Sequence, residues 1–188
     1  MNRLFILALP LVLLAGCQED DLAGLPPAVT MPADAVGHYC QMVLAEHPGP
    51  KAQVLLDGEE TPLFFSQVRD AISYQRMPEQ SHAITAIYVN DMAAAPSWEE
   101  PGADNWIAAG AAHFVVGSTR VGGMGAAELV PFSDADTAAA FAAEHGGRVE
   151  RLDGIADHEV LSPEETPQAH DGHDFMKRLE RVSQERES

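Results

Sequence analysis

Two cysteines occur in the chain of 188 residues, and their settings differ. Cys40 lies in Gly37-His38-Tyr39-Cys40-Gln41-Met42, with a thioether two residues on. A thiolate beside a thioether is a soft donor pair, and soft donors select Cu(I) among biological metals. Cys17 ends Leu14-Ala15-Gly16-Cys17. If residues 38–44 form a strand, Cys40 and Met42 share one face, close enough for one ion. The same spacing suits two buried fillers, since Cys and Met are common core residues. From that spacing alone, the core reading is favoured.

Met124 changes the balance. It stands in Val121-Gly122-Gly123-Met124-Gly125-Ala126. Three glycines predict a flexible loop with an accessible thioether, a setting that a core methionine does not need. If the two halves of the chain face each other, Cys40, Met42 and Met124 form a three-sulfur site. His38 and, behind it, His113 are candidate additional ligands. Zinc would want further Cys or His at definite spacing, and no C-x-x-C pair is present. A cysteine enzyme would need a positioned base and an oxyanion loop, and nothing resembling that loop precedes Cys40. The chain reads as a carrier, not an enzyme. Thiolate ligation means that metal uptake releases a proton and weakens in acid.

The elements that must position these sulfurs are repeated. Leu63-Phe64-Phe65-Ser66-Gln67 recurs as Val130-Pro131-Phe132-Ser133-Asp134, each with a serine placed to cap a helix. Helix-period runs follow, and the second stops at His145-Gly146-Gly147. Strands are expected at 38–44, 52–56 and 83–89 in the first copy. In the second they are expected at 113–116, 127–130 and 147–152. The fold class is α+β, with two ββαβ units at 36–95 and 96–161. The linker from Asn90 to Asp104 includes Trp98, and Trp98 and Trp106 are expected to pack across the junction.

Outside these units, Arg3, the apolar run Leu4–Leu14 and the small residues before Cys17 read as a secretory signal over 1–16. The run is too short to span a bilayer. Cys17 is then the lipidation site, and 17–35 is an acidic tether. Lipid holds the protein on the periplasmic side, and the resemblance of Gln18, a residue other than Asp after the cysteine, to the sorting signal of enteric bacteria implies the outer membrane over the inner. With Cys17 blocked, Cys40 has no disulfide partner, so a lone thiol in an oxidising compartment is either buried or guarded by a ligand. Without residues 1–16, ten basic residues face 29 acidic ones, a net charge of −19. That charge excludes nucleic acid as a partner. The segment 162–188 is a charged tail; His170 and His173, with His158 upstream, are an alternative weak site for Cu(II) or Zn(II), but their spacing fits no closed geometry and favours a solvated tail.

Several stretches together resemble the NosL family of copper-binding lipoproteins that accompany nitrous oxide reductase. They are His38-Tyr39-Cys40-Gln41-Met42, Glu46-His47-Pro48-Gly49-Pro50-Lys51-Ala52-Gln53, Arg69-Asp70-Ala71-Ile72, Tyr88-Val89-Asn90-Asp91-Met92 and Gly122-Gly123-Met124-Gly125-Ala126. Gln41 stands where the family often has glycine. The resemblance implies one Cu(I) per monomer and a fold similar to part of organomercurial lyase. It also implies delivery of copper for the catalytic copper–sulfide centre of the reductase, with the apo-reductase and its membrane maturation complex as partners. The alternative is a passive lipid-anchored docking scaffold with a buried structural Cys40.

Overall fold

A computed structural model describes residues 24–78 and 80–161. The signal segment, Cys17, and the tail with His170 and His173 lie outside the described residues.

The first sheet holds β1 (Ala52–Leu56), β2 (Leu63–Phe65), β3 (Ile84–Asn90) and β4 (Trp106–Ala108), in the order β2-β1-β3-β4. The second holds β5 (His113–Val116), β6 (Val130–Phe132) and β7 (Arg148–Glu150), in the order β6-β5-β7. All pairings within both sheets are antiparallel. Helix α1 (Val68–Arg76) follows β2, α2 (Ala135–His145) follows β6, and α3 (Asp157–Leu161) closes the described chain. Each sheet is thus built around a ββαβ path, and in each the first strand lies between the other two.

Alternation along β1 sends Ala52, Val54 and Leu56 into the main core. Helix α1 adds Val68, Ala71 and Ile72, an i, i+3, i+4 stripe. Phe114 and Val116 of β5, Leu129, and Val160 of α3 complete the same cluster, so the two units share one core. Each fully buried valine or isoleucine in it contributes about 1.5–3 kcal/mol.

Four expectations shift. Residues 38–44 are not a strand: residues 37–42 form a turn closed by an isolated bridge between Val36 and Val43. The first copy's strands before its helix are β1 and β2. In the second copy the later strand runs from Val130 to Phe132, while Glu128 accepts the Arg69 N–H of α1 and Leu129 enters the main core. Both helix caps fall one residue beyond the serines, at Gln67 and Asp134. Asp134 accepts the Thr137 N–H at 2.7 Å, whereas Gln67 makes no side-chain cap. Ser133 instead donates its hydroxyl to Asp91 Oδ2 at 2.6 Å, tying the two units. The glycine stop of α2 stands, with Gly146 and Gly147 at φ 76° and 90°.

From Gly24 onward the tether lies on the domain. Tyr88 donates its hydroxyl to Pro26 O at 2.6 Å. Val29 exchanges two hydrogen bonds with the Gln53 side chain, each of 2.9 Å. Trp98 stacks on Phe141 at 6.4 Å in the second unit, while Trp106 enters β4 and packs beside Leu44 and Phe64 in the first.

Candidate metal centre

Cys40 and Met42 sit in the turn that the Val36–Val43 bridge closes. Gly37 N–H donates to Met42 O at 3.0 Å, and Gln41 N–H to Gly37 O at 2.9 Å. Gln41 is at φ 56°, the only described non-glycine residue with positive φ. That conformation explains physically why glycine suits the position. The Cys40 Sγ packs over Gly37, where a Cβ would collide with it. The thiol is half-buried, directed at Met42 O at 4.0 Å, and Met42 is 38 % exposed.

Met124, 43 % exposed, lies in a loop that is built, not loose. A bridge joins Val121 to Ala127. Gly122 N–H donates to Ala126 O at 2.7 Å, and Gly125 N–H to Gly122 O at 2.9 Å. The glycines serve packing and backbone shape. A Cβ on Gly123 would lie 2.8 Å from His47 Cβ and 3.0 Å from Pro48 O, and Gly125 is at φ 80°. The expected flexibility is therefore corrected: the thioether is exposed on a fixed loop.

Both sulfur-bearing segments hang from the same short stretch, Phe64–Gln67, which runs from β2 to the N-cap of α1. The Cys40 turn is held by His38 N–H donating to Phe64 O at 2.7 Å. The Met124 loop is held by Gln67, whose Oε1 accepts the N–H groups of Met124 at 2.9 Å and Ala126 at 3.4 Å. His47 adds a ring nitrogen, Nδ1, 3.1 Å from Gly123 O, and its buried Nε2 has no partner among the described residues.

Of the two candidate histidines, His38 adjoins Cys40. Its ring packs against Tyr39, Phe65 and Tyr74, at centroid distances of 5.2, 5.5 and 5.6 Å. His113 pairs with Phe132 at the opposite end of the β5–β6 ladder from the connection carrying Met124.

Beneath the loops lie two buried titratable groups, Lys51 and Glu128. Lys51 donates to the carbonyls of His47 at 2.8 Å, Pro48 at 3.1 Å and Gly49 at 2.7 Å, using all three ammonium donors. Burial brings its pKa down to about 8, opposed by the nearby Glu128 and Cys40. Glu128 Oε1 accepts the N–H groups of Arg69 at 3.1 Å and of Leu129 at 2.9 Å. Burial pushes Glu128 up to about 8 against those two hydrogen bonds. Gln67 and Glu128 carry no sequence motif for such roles, and the contact between the two units reveals them.

The sign of the Glu128 effect follows. From its ordinary value of 4.5 up to about 8, the folded protein holds a proton that the unfolded chain has lost. Stability tied to this group is full at low pH and is lost as pH rises through that window, at about 1.4 kcal/mol per pH unit. Glu128→Gln should flatten this part of the slope in urea unfolding between about pH 5 and pH 8. Parallel slopes for wild type and variant would contradict the assignment.

A cleft of about 600 Å³ lined by Gln75, Arg76, Gly110, Arg151, Leu152 and Asp153 lies at the other end of α1. Its arginines are committed to Asp157 and to the carbonyls of Leu152, Gly110, Ala111 and Ala112, which leaves the sulfur loops as the chemically distinctive place.

The family model described as NosL matches residues 28–160. The copper-binding lipoprotein NosL of Achromobacter cycloclastes is 54% identical over 181 residues, covering 94% of this chain and 93% of that protein. The copper-binding lipoprotein NosL of Stutzerimonas stutzeri is 33% identical over 144 residues, covering 76% and 73%. The crystal structure of the copper chaperone NosL from Shewanella denitrificans superposes with a TM-score of 0.65 at 35% identity, covering 70% of this chain and 98% of that one. With its matched span running from the bound tether to α3, this chain belongs to the NosL family.

Proposed function

We propose that this chain is a lipid-anchored Cu(I) chaperone that supplies copper for the catalytic copper–sulfide centre of nitrous oxide reductase. The observation that carries the reading is the suspension of two sulfur-bearing loops, distant in sequence, from one segment, Phe64–Gln67. The names of the relatives, copper-binding lipoprotein and copper chaperone, support it. The likeness to organomercurial lyase enters as one of fold alone, with no activity attached.

In this reading the ion is cargo. The Cys40 thiol gives up its proton as sulfur binds Cu(I), and Met42 and Met124 add neutral soft donors. The thioethers are exposed, so an acceptor can replace them one at a time while Cys40 still holds the metal. No substrate bond is made or broken. Lipid on Cys17 keeps the carrier on the periplasmic side, at the outer membrane in preference to the inner. The apo-reductase and its membrane maturation complex are the partners. A docking scaffold with a buried cysteine gains nothing from this geometry, because Cys40 is only half-buried and both methionines are exposed.

The test is a handover experiment. Cu(I)-loaded protein is mixed with apo-nitrous oxide reductase in the presence of excess Cu(I) chelator. Copper should reach the reductase ahead of the chelator. Copper found only on the chelator would contradict direct transfer.

A further inference from the structure

Gln67 and Glu128 are exchanged across the two units. Gln67 occupies the N-cap position of α1 yet caps nothing there. Its side chain turns to the second unit and accepts two N–H groups of the Met124 loop. The Arg69 N–H in the first turn of α1 donates instead to Glu128 of the second unit, at 3.1 Å. Both side chains are buried, Gln67 at 2 % exposure and Glu128 at 1 %. Gly122 lies against both: a Cβ there would collide with Glu128 Oε2 and meet the Gln67 side chain at 2.9 Å.

We infer that Gln67 is a positioning residue for copper capture, fixing the Met124 backbone toward the Cys40 turn before the ion arrives. The inference rests on the reading of Met124 as a ligand. The chain leading into α1 holds the Cys40 turn through Phe64 O and the Met124 loop through Gln67 Oε1, three residues apart. A loop already ordered pays little conformational entropy when it closes on a ligand. Without the Gln67 acceptor, the Met124 and Ala126 N–H groups seek water, and the loop must be ordered at the expense of affinity. Residues that orient metal ligands typically account for about 10–100-fold in affinity.

The test is a double-mutant cycle on the full-length domain, read by competition with a chromophoric Cu(I) chelator. Gln67→Leu should weaken Cu(I) binding by about tenfold in the wild-type background. In the Met124→Ser background the same change should cost nothing further, because the ligand it positions is gone. Near-ultraviolet circular dichroism verifies folding. Gln67→Asn keeps the amide but draws its oxygen back by one methylene, so it provides the same cycle if the leucine variant does not fold. An equal loss in both backgrounds, or no loss in either, would overturn the inference. Met124→Ser binding as tightly as wild type would instead strike the ligand reading itself.

Discussion

Cys40→Ser should cost more in Cu(I) affinity than the roughly 100-fold upper range seen for residues that merely support a ligand. Serine is nearly isosteric, and Cys40 is half-buried in a turn held by backbone hydrogen bonds. The turn survives the exchange. What is lost is the one anionic soft donor, replaced by a hard, neutral hydroxyl that discriminates against Cu(I). Thermal unfolding of the metal-free variant should therefore match that of wild type while Cu(I) competition shows the loss. A variant that binds as tightly as wild type would remove Cys40 from the site. A variant that unfolds would assign Cys40 to the core.

Met124→Ser should give the second-largest effect. Met124 is 43 % exposed, so removing its thioether costs little packing. Its loop is shaped by glycines pressed against His47, Pro48, Gln67 and Glu128, an arrangement that contributes little to the main core. Fixing a methionine there while leaving its side chain outside makes sense as ligand presentation. A fall in affinity by an order of magnitude or more, with unfolding unchanged, is the expected result, read by the same competition. A variant indistinguishable from wild type would leave Cys40 and Met42 as the only sulfur donors.

The repeat was legible because its signals are local. The paired Phe-Ser motifs before helices and the Gly146-Gly147 stop belong to contiguous residues, and the strands fell out between them. The sulfur donors were legible because their types are rare. The turn at 37–42 was misread as a strand because its side chains alternate plausibly, while its shape depends on Gln41 at φ 56°, invisible in the residue type. The loop around Met124 was misread as flexible because glycine permits both freedom and close approach, and only the neighbours decide which. The roles of Gln67 and Glu128 escaped notice for a related reason, and His47 stood out only within a stretch that resembles the family. Their roles arise from contacts between units 57 to 76 residues apart, which no spacing rule reaches.

The central claim is convergence of sulfur from both loops on one monovalent ion. X-ray absorption on the Cu(I)-loaded protein tests it most directly, because the signal counts the neighbours of copper by element. The account predicts three sulfur neighbours in the wild type and two in Met124→Ser. A wild-type spectrum with a single sulfur among nitrogen or oxygen neighbours, unchanged by the Met124 substitution, would contradict it.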